Sequence, residues 1–231
     1  MEGYAGRAEN SDLADSRRCS KTFALESDCR LLMARAREFD DNTVLDAATD
    51  RFWRQGYAAT SVRDLGEAMG LVPASLYNAF GSKHALFALC LDRYLDRNMR
   101  ERIERLEARQ PPRLAIETFL NEIVARSLAD PRGCLLVNSA LEVAPHDAEI
   151  GAVIAARLGE LEAFFHRCVL AGQRDGSIAA APRARDLARL LLTTVMGLRV
   201  LARSKPEPAR LRGAARQVLA LLDPPMAEQS T

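Results

Sequence analysis

TSVRDLGEAMGLVPASLYNAFGSKHALF, residues 60–87, contains two short helices and the turn between them. Ser61 followed by Asp64 has the spacing of a capping box, opening a helix over VRDLGEAM. Its apolar stripe is Val62, Leu65 and Met69, with Ala68 small enough for close packing. Gly70 permits a left-handed turn. Pro73 starts the next helix, where its missing N–H costs nothing and its φ is already helical. Leu76 and Phe80, four apart, face back toward a core, while Ala74, Ser75, Tyr77 and Asn78 look outward or sideways. A helix this short is not stable alone. It must be held from behind, and its free side is presented to a partner.

Reading outward in both directions, the pattern stays helical. Asp41 or Asn42 caps a helix in which Val44, Leu45, Ala48, Phe52 and Trp53 recur at three- and four-residue steps, and Gly56 stops it. Phe52 and Trp53 read as core residues. Ser82 caps a long helix, KHALFALCLDRYLDRNMRERIERLEARQ, that runs to Pro111-Pro112; its second half carries Arg and Glu at i,i+4 spacing. Further helices are expected at about 113–129, 133–144, 147–174, 184–203 and 207–222, with breaks at DPRG, APHD, GQRDGSIAAAPR and SKPEP. The expected fold is all-α, with a three-helix helix-turn-helix head at 41–88 and a helical body at 89–224. Residues 1–40 read as a disordered extension, or as sequence ahead of a true start at Met33, and 225–231 as a disordered tail.

Composition narrows the function classes. No apolar run approaches the roughly 18 residues that span a bilayer, and no apolar segment near the start resembles a secretion signal. Five widely spaced cysteines (Cys19, Cys29, Cys90, Cys134, Cys168) without a CxxC argue against a disulfide framework and for a reducing cytoplasm. A net charge of +1 carries no global nucleic-acid signature, so any DNA-binding charge must be local.

Helix, tight glycine turn and short helix at this spacing form a helix-turn-helix unit, whose second helix enters the major groove. The residues at about 43–90 resemble the amino-terminal DNA-binding domain of TetR-family transcriptional regulators, most specifically in the block Leu76-Tyr77-x-x-Phe80-x-Ser82-Lys83. The resemblance implies that Tyr77 and Lys83 meet phosphates, and that Thr60 and Ser61 give hydroxyl and amide donors to phosphate oxygens. It implies that Pro73, Ala74, Ser75 and Asn78 meet base edges, and that Arg63 reaches a groove edge or a phosphate. Position 72, commonly polar in the family, is Val72, which leaves that helix start without a side-chain cap. The unit is not conspicuously basic, since Asp64 and Glu67 offset Arg63 and Lys83.

In such regulators the body binds a small effector and forms the dimer. RGCLLVNSALE, 132–142, resembles a stretch in one branch of the family, without carrying over an effector. Cys134, Asn138, Leu141 and Glu142 lie close to one helix face. Asn138 and Glu142 hydrogen-bond either a ligand or neighbouring backbone. Cys134 is either a reactive thiol at a helix start or an inert one. His146, His166, Cys134 and Cys168 have no metal-ligand spacing, so neither metal nor other cofactor is expected. The last two helices are apolar on more than one face, which fits a homodimer joined through Leu187, Leu191, Thr194 and Leu198, with Gly197 allowing close approach. The whole reads as a ligand-responsive repressor on a palindromic operator, released by its effector. The rival readings are an all-helical enzyme using His146, Glu142 and Cys134, or an oxidant- and electrophile-sensing thiol at Cys134. No nucleophile–base motif supports the enzyme.

Overall fold

A computed structural model of the chain describes residues 41–204 and 206–225. The expectations for 1–40, for Met33 and for the tail from 226 onward lie outside the described residues. The helices are α1 (Asp41–Gln55), α2 (Val62–Met69), α3 (Pro73–Phe80), α4 (Lys83–Leu95), α5 (Glu101–Arg109), α6 (Pro112–Ala129), α7 (Leu135–Glu142), α8 (Ala148–Asp175), α9 (Ala184–Ser204) and α10 (Pro208–Ala220). A π-helical turn, Asp96–Arg100, joins α4 to α5. There is no strand among the described residues, and no helix there is long and apolar enough to cross a membrane.

Local chemistry sets the head. The capping box closes in both directions: the Asp64 N–H donates to Ser61 Oγ at 3.1 Å and the Ser61 N–H to Asp64 Oδ2 at 2.8 Å. Gly70 ends α2 in the left-handed region at φ 68°. Leu71 N–H then reaches back to the Gly66 carbonyl at 2.9 Å, so close that a Cβ at Gly66 would lie 2.6 Å from the Leu71 carbonyl oxygen. Only glycine fits there. α3 begins at Pro73 with no side-chain cap from Val72, as the sequence led one to expect.

Leu65, Leu76 and Leu86 have no exposed surface, and Phe87 stands edge-on to Phe52 with ring centres 5.1 Å apart. Leu76 thus pins α3 against α2 and α4. This core does not stop at residue 88. It runs down α4 through Leu91 and Leu95, into Leu135, Leu136 and Val143 around α7, and into Ile150 and Ile154 of α8. A second core, centred on Phe119, Phe164 and Phe165, holds α5, α6, α8, α9 and α10 together. Arg157 of α8, buried, crosses to α4 by pairing with Asp92, and also pairs with Glu160 of its own helix at 3.0 Å.

Two expectations are corrected. Leu187, Leu191 and Leu198 are 2% exposed or less and belong to the second core, because the deeper stripe of α9 packs on α6 and α8. Only Thr194 of the expected dimer set is half-exposed. The single long helix expected from Lys83 is interrupted by the π-helical turn.

Candidate nucleic-acid interface and ligand cavity

On α3, Pro73, Ala74, Asn78 and Tyr77 are exposed, Tyr77 by 49%, and Ser75 is half-buried. Together with Val72, 65% exposed, they form one convex edge of small apolar groups, an amide and a phenol. That mixture suits thymine methyls, base edges and a backbone phosphate respectively. Arg63 extends from α2 and pairs with Glu67 at 3.0 Å in open solvent, a contact weak enough to exchange for a phosphate.

The other phosphate donors behave differently. Thr60 is fully buried and its hydroxyl donates to the Gly56 carbonyl at 2.6 Å, where it closes the turn after α1. Ser61 is exposed, but its hydroxyl proton goes to Asp64 Oδ2 at 2.6 Å. Neither hydroxyl is therefore offered to DNA. The capping box uses one and the turn the other. Lys83 is half-buried, its ammonium 4.5 Å from the centre of the Tyr57 ring. Desolvation there lowers its pKa, against the opposing charge of Glu142.

The three residues expected to hold an effector separate along α7. Glu142 points to the head: its Oε1 accepts the Ala58 N–H at 2.8 Å, and its carboxylate lies against Gly56. Asn138 donates to the Arg132 carbonyl at 3.1 Å and so satisfies the loop before α7. Leu141 is exposed. Only Cys134, the N-cap of α7, faces a cavity. The helix had put these residues on one side, but that side meets three different neighbours along its length. Arg132 adds a second tie, stacking 4.0 Å from the Trp53 ring centre and pairing with Asp50 and Asp130. A third joins His84 of α4 to Asp147 at the start of α8, at 2.8 Å.

The cavity lies in the body between α4, α6, α7 and α9. Met99, Phe119, Leu136 and Val195 give it apolar walls, and Tyr94, Cys134, Arg102, Arg126 and Arg199 give it polar ones. Burial pushes the Tyr94 phenol well above its ordinary pKa, and its hydroxyl sits 3.7 Å from Cys134 Sγ. Burial, followed by repulsion from Arg126, pushes the Arg102 pKa down to about 10. The sequence reading missed these arginines. Arg199 falls on the buried stripe with Val195, Leu198 and Ala202, where an arginine requires a partner. That placement was the available signal. Among the described residues, no three His, Cys, Asp or Glu side chains gather as a metal site.

A second face of the body is also uncovered. Leu190, Val200 and Leu201 are exposed along α9, and Gly197 and Gly213 would carry a Cβ into open space.

Comparisons with known proteins agree with this geometry. The family model for bacterial regulatory proteins, tetR family, matches residues 44–90, and that for a tetracyclin repressor-like C-terminal domain matches 115–218. The uncharacterized HTH-type transcriptional regulator YezE of Bacillus subtilis (strain 168) is 35% identical over 173 residues, covering 71% of this chain and 89% of its own. The HTH-type transcriptional repressor ComR of Escherichia coli (strain K12) is 29% identical over 81% of this chain and 90% of its own. Among solved structures, a cysteine mutant of the TetR family transcriptional regulator CifR, complexed with 26-bp double-strand operator DNA, has a TM-score of 0.72 at 35% identity. It covers 80% of this chain and 98% of that one. These relatives are regulators of transcription, not enzymes, so the enzyme reading of His146, Glu142 and Cys134 falls away. With both its head and its body matched, this chain belongs to the TetR family of bacterial transcriptional regulators.

Proposed function

We propose that this chain is a cytoplasmic, ligand-responsive repressor that binds a near-palindromic operator as a homodimer and releases it when a small effector fills the body cavity. The observation that carries the reading is the outward edge of α3, with Tyr77 49% exposed beside a fully buried Leu76. A helix clamped so firmly on one side and so open on the other is built to dock. The likeness to CifR, whose complex holds operator DNA, supports the same reading.

The dimer face is the exposed stripe of α9 and α10, Leu190, Thr194, Gly197, Val200 and Leu201 with Gly213, in place of the leucines expected from sequence. Two-fold symmetry through that face sets two α3 helices one or more duplex turns apart. Effector response has a physical route. Tyr94 lines the cavity and also stands edge-on to Trp53 of α1, ring centres 4.9 Å apart. Cys134 and Leu136 on the cavity share α7 with Glu142, which holds the head. A ligand that moves α4 or α7 therefore shifts the population of head orientations.

A gel shift with the DNA upstream of the chain's own gene tests the proposal. The expected result is a salt-sensitive complex on a near-palindrome, weakened by Tyr77→Phe and Lys83→Ala. Absence of a complex at every salt concentration would overturn it.

A further inference from the structure

Among the described residues three arginines are buried: Arg102, Arg157 and Arg199. Two of them have carboxylates. Arg157 pairs with Asp92 and Glu160, and Arg102 with Glu122 at 3.0 Å. Arg199, 6% exposed, forms no ion pair with a carboxylate among the described residues; its guanidinium donates to Ser127 Oγ at 3.1 Å and faces Tyr94 and Cys134 across the cavity. Asp130 is near enough to feel its charge but is already bound to Arg132 at 2.6 Å. A buried cation left with neutral partners is expensive unless something negative joins it.

The way in from solvent carries the same sign. A surface cleft lined by Arg97, Arg105, Glu101 and Glu122 shares Arg102 and Arg126 with the cavity, so the two are contiguous. Arg126 forms no ion pair among the described residues, and the two glutamates there face four arginines. Such a cleft attracts anions and repels cations. Beyond the arginines the walls become apolar, with Met99, Phe119, Ile123, Leu136, Leu161 and Val195.

We propose that the cavity binds a small amphipathic organic anion, its carboxylate seated on Arg199 and Arg126 and its hydrocarbon body among Phe119, Leu136 and Val195. The inference rests on the regulator reading and names the chemical class of its effector. Free space inside is only about 40 Å3, so an occupant displaces side chains as it enters. Met99 and Met196 are the adaptable ones, being unbranched. Their displacement beside Tyr94 is what reaches the head.

The test uses the purified full-length protein, with benzoate, hexanoate and octanoate as probes and the corresponding amides as neutral controls. Calorimetric titration and thermal melting are expected to show binding of at least one carboxylate, with its amide at least ten-fold weaker. Arg199→Gln is expected to remove that preference, and Arg126→Gln, at the exposed mouth, to weaken it without touching the fold. Equal binding of acid and amide, or no binding by any of the three acids, would overturn the proposal. The wild-type comparison of acid with amide stands even if Arg199→Gln does not fold. Operator binding is read separately by gel shift. Protein that binds operator but ignores every acid sinks the anion proposal and keeps the regulator reading, whereas protein that takes an acid but never binds DNA does the reverse.

Discussion

Tyr77 owes its position to its neighbour. Leu76 has no exposed surface and fixes the rotation of α3, which leaves the phenol 49% exposed and aimed away from the head. Removing only the hydroxyl tests its role: Tyr77→Phe is expected to cost about 1.5 kcal/mol per head, the scale of a hydrogen bond to a charged group. With two heads per dimer, operator affinity should fall on the order of 100-fold while the melting temperature stays unchanged. An unchanged gel shift would remove Tyr77 from the interface. Glu142 is the opposite case, a residue whose partner is internal. Glu142→Ala leaves the Ala58 N–H without its acceptor, and melting should drop by about 3 °C, equivalent to roughly 1 kcal/mol in a chain of this size. Glu142→Gln, which keeps an acceptor oxygen, should restore most of it. Cys90 and Cys168 are buried, and desolvation raises their thiols to about 11 and about 12. Mass-spectrometric mapping after iodoacetamide treatment should find both unlabelled until the protein is unfolded.

At the scale of elements, α9 serves two masters. Its inner stripe, including Leu187, Leu191 and Leu198, fills the second core, while Leu190, Val200 and Leu201 stay outside. Substitutions on the two sides should therefore fail differently. Leu191→Ala is expected to lose about 2–5 kcal/mol in urea unfolding, the usual cost of emptying a leucine site. Val200→Glu should leave unfolding of the isolated subunit nearly unchanged and convert the dimer to monomer in light scattering at micromolar concentration. If both variants remain dimeric and only the first is destabilised, the dimer face lies elsewhere. The π-helical turn has a cause at the same scale. Leu91, Leu95, Met99 and Ile103 are buried, three consecutive steps of four residues. Each such step drifts about 40° around an α-helix, so the stripe would leave the core by roughly 120° after three of them. An extra residue in the turn at Asp96–Arg100 takes up that drift and keeps Met99 and Ile103 facing inward.

For the molecule as a whole, head and body are joined by polar ties as well as by a shared core. Arg132 spans Asp130, Asp50 and the face of Trp53, and Asp147 caps α8 while holding His84 of α4. The Arg132 guanidinium holds Asp130 below its ordinary 3.8, and the Ile150 N–H, followed by the charge of His84, does the same for Asp147. A carboxylate with a depressed folded pKa contributes stability that is present above 3.8 and is lost as pH falls through the lower folded value. Urea midpoints should accordingly stay level in this respect from about pH 7 to pH 5 and decline below about pH 4. Asp130→Asn should flatten part of that decline; an equally steep one would show that Asp130 contributes nothing to it.

Ser61 with Asp64, Gly70, Pro73 and the pair Leu76 and Phe80 determined the head locally, because capping, left-handed turns and helical stripes depend on residues within four positions of one another. The helix boundaries of the body were legible for the same reason, and the expected 184–203 and the observed Ala184–Ser204 differ by one residue. Tertiary structure alone decided which of two apolar faces of α9 turned inward, since periodicity places residues on a face without saying what covers it. It also decided that Glu142 bonds the head across 84 positions of chain, and that Arg199 comes to rest beside Tyr94 with no carboxylate partner among the described residues. Those outcomes depend on contacts between distant segments, and such contacts exist only once the chain has packed.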